Sequence, residues 1–231
     1  MFADHRNNLD RKAFLEAALW HGPLERANQT ALYGAAGVAH HAGVTRLLIE
    51  RGADPNDPEV VYHTPEDWDL AALKAVVETG RLTPESLSLM LMRKADWHHA
   101  EGVKYLLEHG ADPNASWKHG LNALQQAIVR DNDRAKDSTA LHVAAWRAAH
   151  DTARLLIERG ADVNARDLKG HTPLLMAVKA CVDSYWTEWR KPDTVAALLG
   201  AGATTEGVPD VSGYDEVDAL LKSHRETHRD S

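Results

Sequence analysis

Apolar pairs recur along the chain just ahead of a glycine. Leu47-Leu48-Ile49-Glu50-Arg51-Gly52-Ala53-Asp54 returns residue for residue at Leu155–Asp162. Looser copies run Leu106-Leu107-Glu108-His109-Gly110-Ala111-Asp112 and Leu198-Leu199-Gly200-Ala201-Gly202-Ala203, and Val76-Val77-Glu78-Thr79-Gly80 is a worn fifth. Each reads as the end of an amphipathic helix, closed by a glycine that takes up the left-handed conformation other residues resist. A second element lies upstream: Thr30-Ala31-Leu32-Tyr33-Gly34-Ala35-Ala36, Thr139-Ala140-Leu141-His142-Val143-Ala144-Ala145 and Thr172-Pro173-Leu174-Leu175-Met176-Ala177. Threonine before alanine or proline is a helix N-cap, and the small residues behind it leave a slim helix that a neighbour approaches closely. Turn formers such as Asp162, Asn164 and Asp167-Leu168-Lys169-Gly170 follow the second helix. The predicted unit is helix, helix, protruding finger, and it buries its apolar face only by stacking on copies of itself.

Thr139 and Thr172 stand 33 residues apart. With that period and the Thr-Pro-Leu-His-x-Ala pattern, the stretch from residue 30 to 203 resembles the ankyrin repeat. The resemblance implies an all-α fold: an ankyrin-repeat α-solenoid of stacked helix-turn-helix units with short hairpin-like fingers, read here as one solenoid over residues 1–231. Residues 1–29 are expected to cap it, with a helix over 11–21. Irregular repeats fill 30–203. Residues 204–231 supply a C-terminal cap, with a helix over Tyr214–Ser223 and a frayed polar tail from Arg225. The resemblance further implies that His142 bonds neighbouring backbone and that His40-His41 orders the turn between two helices.

The repeat spacing is uneven. Between Thr64-Pro65 and Gly80 there is room for a second helix, 69–79, but little for a first. The middle copy, Gly120–Arg130, has a first helix and then passes through Asp131–Ser138 directly to Thr139, with no second helix. The repeat opening at Thr172 carries extra residues before Val195, including Tyr185, Trp186 and Trp189, which predicts a lengthened first helix or a bulging loop.

Composition narrows the function classes. Among 231 residues, 44% are hydrophobic and 26% charged, ordinary for a globular chain. The lone cysteine, Cys181, forms no internal disulfide, and the start Met1-Phe2-Ala3-Asp4-His5-Arg6 lacks the basic-then-apolar order of a secretory leader, so a cytoplasmic location is expected, while the repeat periodicity with polar caps at both ends predicts a monomer. No apolar run approaches the roughly 20 residues of a membrane span. A net charge of −8 with no long basic block argues against nucleic acid as partner.

The chemistry-bearing residues point to recognition before catalysis. No nucleophile elbow, phosphate-binding glycine loop or His-Glu-x-x-His helix occurs. Adjacent His98 and His99 diverge by about 100° on a helix and do not converge on one ion, so neither metal nor cofactor is implied. Asp96, Trp97, His98 and Glu101, with Asp131, mark the place where a small-molecule pocket or active site would sit. Trp20 and Trp68 read as packing residues, and Trp117 and Trp146 either as facing a partner or as covering the gap left by the missing middle helix. In ankyrin-like repeats the positions open to a partner lie in the finger before the threonine and just after the alanine pair. Here these are Trp117, Lys118, His119, Leu121, Leu168, Lys169 and His171, with Arg130, Trp146, Arg147 and Lys179. None is acidic, so a locally basic groove for an acidic protein or peptide is expected.

Overall fold

The computed structural model describes residues 30–116, 137–183 and 189–228. Among them every regular element is helical, which gives the expected all-α fold. Five helix pairs and a closing helix follow one another: α1 (Ala31–Tyr33, continued by a π-helical turn, Gly34–Val38) with α2 (Ala42–Glu50); α3 (Pro58–His63, then a 3-10 turn, Thr64–Glu66) with α4 (Ala71–Val77); α5 (Pro84–Asp96) with α6 (Ala100–Glu108); α7 (Ala140–Trp146) with α8 (His150–Glu158); α9 (Pro173–Asp183) with α10 (Asp193–Gly200); and α11 (Asp215–Thr227). The described residues form two compact units. One runs to Arg93 and takes in Glu108–Ala111; the other holds Lys94–Leu107 and the chain from Asp112 on. Val60, Leu73 and Val76 are fully buried in the first, and Leu141, Leu156, Leu174, Val195, Leu198, Val217 and Leu221 in the second.

The helix punctuation follows the sequence. Thr30 Oγ1 accepts the Tyr33 N–H at 3.1 Å, and Thr172 Oγ1 accepts the Leu175 N–H at 3.3 Å. Thr139 forms a reciprocal capping box with His142. Gly52, Gly80, Gly110, Gly160 and Gly202 all have positive φ, as the recurring helix ends require.

After three of those glycines the chain reads Gly-Ala-Asp-x-Asn, and this motif joins neighbours. The aspartate accepts the N–H of the asparagine two residues on, for instance Asp112 Oδ1 from Asn114 at 2.8 Å and Asp162 Oδ1 from Asn164 at 2.8 Å. The asparagine side chain, thus aimed, bonds the helix end of the next pair. Asn114 donates to the Gly160 carbonyl at 3.0 Å and accepts the Asp162 N–H at 2.6 Å. Asn164 does the same to Gly202 and Thr204, and Asn56 to Arg81 and Thr83. Within the second unit, the Asp112–Asn114 turn thus bonds directly to the Gly160 turn. The copy expected at 120–130 lies outside the described residues, as does the capping helix expected at 11–21.

Two expectations need correction. The pair ending at Gly80 does have a first helix, α3. Asp57 caps it by accepting the Glu59 and Val60 N–H groups at 2.9 and 3.4 Å, and Pro58 presets its first turn. Thr64-Pro65, which looks like a repeat start, lies at the end of that helix. Second, the C-terminal helix reaches Thr227 with His228 as its cap, and Arg225 is held by Asp210 at 2.6 Å and the Val208 carbonyl at 2.8 Å, so the described part of the tail continues the helix. Acids in its first turn and His224 and Arg225 in its last suit the helix dipole. In addition, α1 carries one residue more between its capping threonine and its closing left-handed residue (Thr30 to His40) than α7 does (Thr139 to Ala148), and the π-helical turn absorbs it. The expected lengthening after Thr172 is present: α9 has 11 residues against 7 in α7.

Gly160 has φ +84° with open space where a Cβ would stand. Gly160→Val should therefore lose roughly 1–2 kcal/mol from backbone strain alone. Urea unfolding of variant and parent measures this, and an unchanged midpoint would count against the strained turn.

Candidate functional site

The finger between α8 and α9 is a rigid turn. Asp167, only 6% exposed, accepts the Lys169 and His171 N–H groups through Oδ1 at 2.9 and 2.7 Å, while its Oδ2 lies 3.1 Å from His171 Nδ1. Its own N–H donates to the His171 carbonyl at 3.0 Å. That carbonyl also takes a bond from His142 Nε2 at 3.0 Å, so His142 ties the finger to α7, the backbone role expected of it. The result pushes Leu168, 66% exposed, and Lys169 outward at the tip.

The turns between first and second helices form another set of positions. His40, His98 and Ala148 occupy the same left-handed place there with φ 46°, 55° and 55°. His41, the second residue of its pair, caps α2 by accepting the Val44 N–H on Nδ1 at 3.2 Å. Four tryptophans mark these turns: Trp68, Trp97, Trp146 and Trp189. Trp68 is 62% exposed, which overturns its reading as a packing residue; it stands in the short polar loop Asp67–Asp69, clear of the α4 core. Trp97 and Trp189 are partly exposed and Trp146 is half-buried.

Asp96 and His98 do come together, but around other partners. Arg147 Nε donates to Asp96 Oδ1 at 2.5 Å. His98 packs on Trp189 with ring centroids 4.2 Å apart. Burial, reinforced by the Arg147 charge, pulls the His98 pKa below its usual value against the opposing pull of Asp96. His150 Nε2 donates to the Trp189 carbonyl at 3.1 Å and its Nδ1 accepts the Thr194 hydroxyl at 2.8 Å, which fixes its tautomer. The aspartate is thus engaged by a guanidinium and the histidine ring by an indole.

Two polar clusters gave no sequence signal. Lys94 is completely buried, at a helix position where α7 has alanine, and its ammonium donates to His99 Nδ1 at 3.0 Å. It fits because residue 102 is glycine: a Cβ there would lie 2.8 Å from Lys94 Cδ and 2.9 Å from His99 Nδ1. In the first unit, Glu66 bonds Arg93 and lies 2.9 Å from His63 Nδ1, while the Arg93 guanidinium sits 4.0 Å over the Tyr62 ring. Burial pushes the Glu66 pKa up, but the His63 hydrogen bond and Arg93 outweigh it and hold it below its usual value. Among the described residues no three histidine, cysteine or acidic side chains converge on a common point.

Of the residues expected to meet a partner, Trp117, Lys118, His119, Leu121 and Arg130 lie outside the described residues, as does Asp131. The described remainder divides. Leu168, Lys169 and His171 stand in the finger before α9, and Lys179 is partly buried on α9 itself. Trp146 and Arg147 stand at the far end of α7, about 10 Å along its axis from the capping Thr139.

This helix-pair and finger architecture agrees with two family models, Ankyrin repeats (3 copies) over residues 115–206 and Ankyrin repeat over residues 27–59, which together match more than half of the chain. The chain belongs to the ankyrin-repeat family. An ankyrin repeat protein of Rickettsia bellii (strain RML369-C) is 33% identical over 131 residues, 54% of this chain and 51% of that protein. Rabankyrin-5 of Mus musculus is 33% identical over 92 residues, 40% of this chain and 7% of its own length. Protein glp-1 of Caenorhabditis elegans is 24% identical over 207 residues, 83% of this chain and 15% of its own. The chain thus corresponds to about half or less of these relatives. Among the described residues no helix is long and apolar enough to cross a membrane.

Two measurements test the buried groups. Gly102→Ala should destabilise by about 1–3 kcal/mol through overpacking against Lys94 and His99, and a parent-like unfolding midpoint would contradict that close approach. Burial pulls the His142 pKa down, partly offset by its bond to the His171 carbonyl and by Asp167. The unfolded chain takes up this proton first, so the stability held by neutral His142 is complete above about pH 6.5 and is lost as pH falls from there towards the lower folded value. Between pH 7.5 and 5.5, His142→Gln should lose less stability than the parent; equal losses would remove His142 from the account.

Proposed function

We propose that this ankyrin-repeat chain is a protein- or peptide-binding module that meets an acidic or phosphorylated segment of its partner with the finger Asp167–His171 and the adjoining face of α9. Ankyrin repeats as a family mediate protein–protein contact, and fold alone assigns no partner. The observation that carries the reading is the finger tip, where Leu168 is 66% exposed beside the exposed Lys169 on a turn locked from beneath by Asp167. A preformed turn loses little conformational freedom on binding, which favours affinity.

The charge argument is narrower than the sequence suggests. Arg147 is matched by Asp96 and His171 by Asp167. Lys169 and Lys179 have no acidic partner among the described residues, and they carry the attraction for anionic oxygens. Trp146, Arg147, and the positions Trp117, Lys118, His119, Leu121 and Arg130 extend the proposed surface.

The test begins with a partner recovered by affinity capture from the native cell and then measured in purified form. Leu168→Asp with Lys169→Glu should weaken that complex by about tenfold or more, and the remaining binding should respond less to salt. Both side chains are exposed, so the melting temperature should stay put. Parent-like affinity would overturn the assignment of this finger. Arg147→Glu is unsuited to the purpose, because it sets two carboxylates against each other at Asp96.

A further inference from the structure

His142 stands between the start of α7 and the finger Asp167–His171, and its two ring nitrogens have opposite duties. Nε2 lies 3.0 Å from the His171 carbonyl, which only accepts, so Nε2 carries the hydrogen. Nδ1 receives the Thr139 N–H at 3.2 Å and therefore presents a lone pair. Together the two bonds require the neutral ring. His142 is 2% exposed and Thr139 4%, so water does not replace either partner. A proton taken up on Nδ1 sets two donors against each other. The Thr139 hydroxyl, 3.0 Å from Nδ1, accepts that proton, but the buried Thr139 N–H is left without an acceptor. Because the imidazole is rigid, Nδ1 leaves Thr139 only by swinging Nε2 away from the His171 carbonyl.

We propose that His142 is a proton-sensitive lock on the finger: the neutral ring ties Asp167–His171 to α7, and protonation releases it and weakens partner binding. This rests on the binding reading above and adds the condition under which that surface is formed. The ionisable groups that act on the ring, Asp167 and His171, both belong to the finger; among the described residues α8 and α9 add none. Burial is the largest influence and His171 reinforces it, so the His142 pKa lies below its usual value although the His171 and Ala165 carbonyls and Asp167 pull the other way. His171 is no second lock, since its Nδ1 donates to Asp167 Oδ2 at 3.1 Å whether the ring is neutral or charged. The released ring takes up its proton near the ordinary value of about 6.5, so the lock is complete above that pH and is lost as pH falls towards the lower, locked value.

The proton itself is the probe. Side-chain and backbone ¹H–¹⁵N spectra of the full chain between pH 7.5 and 5.5 should show the Nε2–H tautomer of His142 at the upper end. As that ring titrates, the Thr139 amide and the backbone order of Leu168–Gly170 should change with the same midpoint, while the buried Leu198 and Leu199 of α10 keep theirs. His142→Gln should remove the transition, and the parent titration decides the matter by itself should that variant unfold. A finger that keeps its order throughout, follows the His171 midpoint instead, or melts together with α10 would each overturn the lock. Where Leu168→Asp with Lys169→Glu lowers affinity for the captured partner, the parent should bind it more weakly at pH 5.5 than at 7.5. The loss should be at most about tenfold, the ratio of charged to neutral imidazole one pH unit below 6.5, and an unchanged affinity would count against the lock. Parent-like affinity of that double variant would instead overturn the binding reading, so the two failures are distinct.

Discussion

Each Gly-Ala-Asp-x-Asn segment completes a helix end that belongs to its neighbour. The last carbonyls of a helix have no partner within it, and in this chain an asparagine from the preceding finger supplies one while accepting an N–H two residues further on. Asn114 and Asn164 make this bridge in the second unit, and Asn56 makes a version shifted by one residue in the first. The aspartate two residues earlier is what aims each amide. Because the bridge has fixed dimensions, it fixes the spacing of successive pairs at the finger end, and the cores, the caps and the Asp167 turn all presuppose that spacing.

Second helices obey this constraint and first helices escape it. α2, α6 and α8 each have nine residues, α10 eight and α4 seven. The α-helical part of the first helices ranges from three residues in α1 and six in α3 to 13 in α5, and α1 needs a π-helical turn to fit its extra residue. The added length after Thr172 therefore falls where the architecture tolerates it.

The repeat ends, the threonine caps and the role of His142 were readable because each rests on local stereochemistry: a positive φ, a side-chain oxygen within reach of an N–H, a fixed spacing. The first helix of the Gly80 pair was not readable, because Asp57-Pro58 replaces the threonine start while Thr64-Pro65 imitates one further on. Charge was the hardest to read. Arg147 looks available in the sequence, yet the Asp96 that engages it is 51 residues away and becomes its neighbour only through stacking. Lys94 shows the same limit, since its burial depends on the missing side chain of Gly102 and on His99 beyond the next turn.

The left-handed turn residues have an evolutionary consequence. His40, His98 and Ala148 hold a conformation that glycine adopts without cost, so the protein carries the same small penalty in three separate repeats. Glycine would relieve each one, but it would also erase the ring that His98 lays against Trp189. In a stacked array such debts are local, since each pair answers mainly to its neighbours. The turns between paired helices are therefore places where sequence drift can trade stability for surface chemistry one repeat at a time, while the asparagine bridges keep the remaining repeats in step.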